Sequence, residues 1–339
     1  GNTCGFKNMQ IVKSRLSKFS LRGGHGVGLA LLIMLSAFLA LPDASRAAEL
    51  PQNGLVLWLD AADPSSLRLS DGMVEEWRNK APGCGHVFQS QKDQRPRFLK
   101  APGTGVRPAI HFDGQDDVLI DSQFNRQAKT WTLVVVAAAL PGNRGGGLVT
   151  GRNAGGDDYD PGFTVDLYQT AALFNSLSVE GAGRIGGQAN QMTMTFPLGG
   201  LHMIVVERAS EEIRLRVDGN GQMTRAAKPE ATQMKELRIG ARCYGGKERH
   251  YLSGLISQVM LYDRVLKPEE LRQVEAMVKV EAKEHSAGEL AAASTALAGH
   301  KQPVVMPTKL VAQWADLDSY LQSPLARGVL REIENPLVG

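Results

Sequence analysis

Three carboxylates fall within four positions in Gly155-Gly-Asp-Asp-Tyr-Asp-Pro-Gly162. Asp157, Asp158 and Asp160 on so glycine-rich a backbone could supply the oxygen ligands that Ca2+ prefers. A solvated acidic turn capping a sheet edge would carry the same residues. Asp113, Asp116 and Asp117 form a second acidic cluster, open to the same two readings. Tyr159 in the first loop, with Tyr244 and Tyr251 farther along, offers rings that can stack on a ligand. Together with Arg152 these are the candidate ligand-binding side chains. Trp58 and Trp131 are expected in the core.

Catalytic spacing is missing. Hydrolysis of a glycosidic bond needs two carboxyl groups facing one cleft, whereas Glu207 stands alone on its strand. Glu211 and Glu212 are adjacent, so a strand would point them to opposite faces. His86, His111, His202 and His250 show no metal-ligand spacing, and no Gly-x-Ser-x-Gly segment occurs. Gly181-Ala-Gly-Arg-Ile-Gly186 has the spacing of a dinucleotide-binding turn, but Met192-Thr-Met-Thr-Phe196 after it is patterned as a strand where that motif requires a helix. A non-catalytic module is therefore the expectation.

The elements that must position these side chains are short strands. From Gly54 to Tyr262, Gly, Pro, Asn and Asp punctuate about fourteen strand-like segments with no long helical period between them, which predicts a two-layer antiparallel sandwich. Leu133-Val-Val-Val-Ala-Ala-Ala139 is apolar on both faces and should lie deep. Glu212-Ile-Arg-Leu-Arg-Val-Asp218 alternates, as a half-solvated strand does, and turns at Asp218-Gly219. Lys267-Pro-Glu-Glu-Leu271 then opens a helix, with Pro268 and two acids in its first turn and Leu271, Val274 and Val278 on one face.

The chain has 339 residues, 43% hydrophobic and 22% charged, with a net charge of +3. Residues 1–47 read as a secretory signal. Lys13, Arg15, Lys18 and Arg22 precede the apolar run Val27 to Leu41, and Ser45 and Ala47 occupy the −3 and −1 positions of a cleavage site. A retained membrane anchor is the rival, since the run is slightly shorter than the ~17 residues a spanning helix needs. Of the 38 basic and 35 acidic residues, six and one fall within 1–47, which leaves 32 and 34, a net of −2. The basic balance thus belongs to the signal, and nucleic-acid binding loses its main support. A secreted, periplasmic or envelope-associated protein is expected, with no transmembrane segment after cleavage. Of the three cysteines, Cys84 and Cys243 remain in the exported part, as a possible bridge or as two thiols. Residues 284–339 read as a linker and a helical tail, or as the start of a further module.

Three segments carry a family resemblance. Gly54-Leu-Val-Leu-Trp-Leu-Asp-Ala61 looks like an opening strand, and Pro108-Ala-Ile-His-Phe-Asp-Gly-Gln-Asp-Asp-Val118 is similar to a recurrent apolar-Phe-Asp-Gly-x-Asp-Asp segment. Leu252-Ser-Gly-Leu-Ile-Ser-Gln-Val-Met-Leu-Tyr-Asp-Arg-Val-Leu-Lys-Pro-Glu-Glu-Leu271 looks like a closing strand and helix. Residues 48–283 resemble the laminin-G-like, or concanavalin A-like, jelly-roll domains of secreted bacterial proteins. The resemblance implies a two-sheet antiparallel jelly roll with a short C-terminal helical extension. It also implies recognition of a glycan or an extracellular protein through rim loops, with Ca2+ as a possible cofactor. A divergent glycosidase and a structural, protein-interaction domain of the envelope are the alternatives. Gly254 is expected to let the closing strand lie beside the opening one, with Leu266 and Leu271 fastening the helix to the sandwich edge.

Overall fold

The computed structural model describes residues 50–83, 85–100, 107–140, 145–153, 155–171, 174–182, 192–197 and 201–279, all within the unit Gly1–Ala287. The expected signal, Cys84 and the tail 284–339 lie outside the described residues.

Twenty-one strands occur among the described residues. They begin with β1 (Leu55–Asp60), β2 (Leu67–Ser70), β3 (Met73–Arg78), β4 (His86–Phe88), β5 (Arg97–Leu99), β6 (Ala109–Asp113) and β7 (Leu119–Asp121). The middle group is β8 (Arg126–Ala128), β9 (Trp131–Ala139), β10 (Gly146–Arg152), β11 (Phe163–Ala171), β12 (Phe174–Gly181), β13 (Met192–Pro197) and β14 (His202–Arg208). The last are β15 (Glu212–Val217), β16 (Asn220–Ala226), β17 (Thr232–Met234), β18 (Glu236–Ile239), β19 (Arg242–Tyr244), β20 (Lys247–Arg249) and β21 (Ser253–Tyr262), followed by helix α1 (Pro268–Lys279). All fourteen expected segments are strands. The seven unforeseen ones, β2, β4, β8, β16, β17, β19 and β20, are short or polar and owe their extended form to a partner strand.

Pairing is antiparallel throughout the ladders and builds two layers. One runs β16–β15–β14–β9–β21, and β21 divides its free edge between β6 at Ser253–Ile256 and β1 at residues 258–262. The other runs β13–β12–β11–β10–β18–β7–β4–β3. β5 pairs with both β6 and β3 and so joins the layers along one side. The result is a two-layer antiparallel β-sandwich of jelly-roll type.

The core lies between the layers and takes alternate residues from each strand, because successive side chains point to opposite faces. Leu133, Val135, Ala137 and Ala139 of β9 meet Val149, Val165, Leu177 and Ile239 there. Every residue of β9 is buried, as its two-sided apolar pattern requires. Its even positions, Val134 and Val136, join Met203, Val205, Met260 and Tyr262 in a second cluster on the outer face, under Leu266, Leu271, Val274 and Val278. The helix thus covers a face of the sandwich rather than its edge. Its start is fixed by Glu270, whose Oε2 accepts the Lys267 N–H at 2.9 Å, and Arg264 grips the same carboxylate with two contacts of 2.7 Å. Gly254 sits opposite Phe112 and Ala139, not beside β1. The β15–β16 hairpin turns at Asp218-Gly219, both with positive φ, 52° and 74°, the handedness that two-residue hairpins favour.

Candidate functional site

Away from the helix, the outer face of the second layer is polar. On β11 and β12 the core takes Val165, Leu167, Leu177 and Val179, so Thr164, Asp166, Ser178 and Glu180 face outward. Beside them Arg152 of β10 and Glu236 and Arg238 of β18 do the same, because Leu237 and Ile239 fill the core positions between. These charges are nonetheless buried, since the β19–β20 hairpin and the loop of residues 155–162 lie over them. Gly147 permits that approach. A Cβ there would come 2.5 Å from the carbonyl carbon of Ala241, so only a bare backbone lets the chain leading into β19 lie on the sheet.

Arg242 opens β19 and enters a nest of three carboxylates. Its Nε and Nη2 donate to Asp158 at 3.0 and 2.8 Å, its Nη1 to Asp166 at 2.8 Å, and its Nη2 also to Glu180 at 2.8 Å. Asp158 and Asp166 are 0% exposed and Arg242 3%. Asp158 additionally accepts the Cys243 N–H at 2.9 Å. A second chain of charge runs alongside it. Arg152 holds Glu236 through Nε at 2.6 Å and Nη2 at 3.3 Å and donates to the Gly156 carbonyl at 2.7 Å. Arg238 bridges Glu236 to Glu248, and the Tyr251 hydroxyl donates to Glu248 at 3.1 Å. Burial alone would raise the Glu236 carboxyl, but the two arginines outweigh it and hold the group below its usual range. Burial, aided by Glu248, pushes the Tyr251 hydroxyl up to about 12, so it remains a donor.

Above these charges stand the rings. Asp157 accepts the Tyr159 hydroxyl at 2.8 Å and the Gly245 N–H at 2.7 Å, fastening loop to hairpin. The Tyr159 and Tyr244 centroids are 6.5 Å apart, with their planes inclined by 51°. Tyr244 shares a 2.6 Å hydrogen bond with His250 Nε2, and the guanidinium carbons of Arg242 and Arg249 lie 4.9 and 5.2 Å from its ring centre. Burial first, then Arg242 and Arg249, keeps the His250 imidazole below its ordinary value and hence neutral near pH 7. The hydrogen bond to Asp157 raises the Tyr159 hydroxyl, which stays protonated. Burial raises the Cys243 thiol, which has no bridge partner among the described residues.

The structure brings Tyr159, Tyr244 and Tyr251 to one rim, while Arg152 lies buried beneath it, committed to Glu236 and the Gly156 carbonyl. It divides the loop carboxylates: Asp158 is committed to Arg242, Asp157 to Tyr159 and Gly245, and Asp160 is exposed. Among the described residues, the acidic group whose oxygens come close enough to share one cation is Asp113, Asp116 and Asp117, within 4.8 Å of one another. There Asp117 accepts the Asp113 N–H and Asp113 the Gln115 N–H, both at 2.9 Å, which cinches a turn. Trp131 is buried as expected, while Trp58 is only half-buried, with Lys80 Nζ 4.0 Å from its ring centre. A hollow of about 580 Å3 at Ala209–Glu212 and Thr224–Ala226 has no aromatic lining. Sequence reasoning missed Asp166, Glu180, Glu236, Arg238, Arg242 and Glu248. A signal was present for Glu236 and Arg238, charges at alternate positions of one strand whose other residues, Leu237 and Ile239, fill the core.

Residues 113–272 match the family described as the concanavalin A-like lectin/glucanases superfamily. No curated protein matches. Among solved structures, the binding domain of botulinum neurotoxin DC in complex with SialylT is 7% identical over 66% of this chain and 51% of that one, with a TM-score of 0.39. The botulinum neurotoxin type G receptor binding domain is 8% identical, covering 67% and 52%, with a TM-score of 0.42. The Trypanosoma rangeli sialidase in complex with sialic acid is 15% identical, covering 75% and 40%, with a TM-score of 0.44. The chain thus spans about half the length of the binding domains it matches. The sandwich and this match together support a laminin-G-like domain of the concanavalin A-like lectin/glucanases superfamily over residues 113–272.

Proposed function

We propose that the sandwich is a non-catalytic binding module that recognises carbohydrate at the rim formed by the loop 155–162 and the β19–β20 hairpin. The observation that carries this reading is the Tyr159–Tyr244 pair, two rings 6.5 Å apart on separate segments that Asp157 and Asp158 fasten together. Rings offer apolar faces to the CH surfaces of a sugar, while fixed polar groups around them meet its hydroxyls, and a prefastened rim loses little entropy on binding. The outward carboxylates Asp166 and Glu180 sit on adjacent strands, yet both are ion-paired to Arg242, which favours binding over glycoside hydrolysis. Export through residues 1–47 belongs to the same proposal, and no helix among the described residues is long and apolar enough to cross a membrane.

The test is a glycan array probed with the wild-type chain and with Tyr159→Ala and Tyr244→Ala, each in Ca2+ and in chelator. Binding that falls about tenfold in both variants supports the rim, that factor being about 1.4 kcal/mol of lost contact. Silence of the wild-type chain across the array sinks the carbohydrate reading and leaves a protein partner as its successor. Identical binding in Ca2+ and in chelator sinks calcium assistance.

A further inference from the structure

We propose that Arg242 is the positioning residue of this rim, a single buried guanidinium that holds the loop 155–162 and the β19–β20 hairpin in register so that Tyr159 and Tyr244 present one surface. The proposal rests on reading that surface as the ligand face. Arg242 is 3% exposed, so it acts through its neighbours and not by touching a ligand. Two of its partners, Asp166 and Glu180, stand on the adjacent sheet strands β11 and β12, which are fixed by their ladder. Its third partner, Asp158, belongs to the loop, and Asp158 also takes the N–H of Cys243 from the hairpin. One planar cation therefore ties sheet, loop and hairpin at a point beneath the rings, with its carbon 4.9 Å from the centre of Tyr244.

The chemistry requires arginine. Four hydrogen bonds leave Nε, Nη1 and Nη2 in the directions of a planar fork, and three carboxylates converge on it from separate segments. A lysine ammonium is a compact point charge with three donors and cannot span the three positions together. Without the cation, three carboxylates face one another in a dry cavity, and their repulsion pushes the loop off the sheet. The displaced element is the one that bears Tyr159, while the hairpin bearing Tyr244 loses its anchor to Asp158.

The experiment uses the full chain with Arg242→Ala and Arg242→Lys, and reads amide hydrogen exchange at Cys243 and Gly245, melting temperature, and affinity for a glycan bound by the wild type. Exchange at the two amides should accelerate about tenfold relative to β9 amides, because local opening is decoupled from global unfolding. Affinity should fall about tenfold in parallel. Millimolar guanidinium should restore both in Arg242→Ala, whereas urea at the same concentration, neutral but of similar shape, should not. Arg242→Lys should be intermediate. Should Arg242→Ala fail to fold, Asp158→Asn keeps the shape, removes one charge, and should still accelerate exchange at Cys243. A lowered melting temperature with unchanged relative exchange at Cys243 and Gly245 would overturn the proposal, as would full affinity despite faster exchange. If the wild type binds no glycan, the ligand-face reading fails, and the exchange arm still decides whether Arg242 positions the rim.

Discussion

Glu270 and Asp63 show how single charges make stability depend on acid. Arg264 first, with the Lys267 N–H behind it, holds Glu270 down at about 2, and Ser65 and Lys80 hold Asp63 at about 2. A carboxyl depressed in the folded state binds its proton later than in the unfolded chain. Its contribution is therefore complete above the unfolded value, near 4.5 for Glu270, and is lost as pH falls toward about 2. Melting temperature should thus be flat with respect to these groups above about pH 5 and decline below it. Glu270→Gln should flatten part of that decline, and a variant whose acid profile overlays the wild type would refute the assignment. Gly181 makes a different demand, with φ of +75° and a Cβ position 2.5 Å from the Tyr159 carbonyl oxygen. Gly181→Ala combines left-handed strain with overpacking beneath the rim and should cost roughly 2–4 kcal/mol. Urea denaturation measures it, and a loss below about 0.5 kcal/mol, the range of ordinary surface substitutions, would contradict the contact.

At the scale of elements, α1 explains why β9 has no polar face. One face of β9 meets the opposite layer and the other meets the helix, so the strand carries two apolar rows where the alternating β15 carries one. Leu271→Ala removes a side chain buried against that outer cluster and should destabilise the chain by about 2–4 kcal/mol. Chemical denaturation checks it, and a loss near zero would mean that the helix is not needed by the sheet beneath. The β19–β20 hairpin is the opposite case, since Arg242-Cys-Tyr and Lys247-Glu-Arg carry no period that announces a strand. Ion pairs to the sheet and the loop, rather than an apolar stripe, hold this element in place.

For the whole molecule, the closing strand reaches back to the beginning. β21 pairs with β1, β6 and β9, so residues 55–60 and 109–113 complete sheets that the family-matched stretch 113–272 enters only in part. A fragment of residues 113–272 leaves Leu255, Val259 and Leu261 without their strand partners His111, Leu59 and Leu57 and should not give a cooperative urea transition. A fragment of residues 50–279 should. Cooperative unfolding of the shorter piece, followed by circular dichroism, would show that the opening strands are dispensable.

The sequence by itself determined the sandwich, the helix and the fully buried β9, because burial writes a period of two into strands and of about 3.6 into helices. It also singled out the loop 155–162 and the tyrosines Tyr159, Tyr244 and Tyr251. The tertiary structure alone decided what those residues do together. Asp158 and Arg242 are 84 positions apart, and Asp166 and Glu180 come from two further strands. An ion pair leaves no periodic trace in a chain, since either partner alone reads as a solvated charge. Only the folded register shows that one guanidinium gathers three carboxylates, and that a loop with the composition of a calcium site has given its central carboxylate to an arginine.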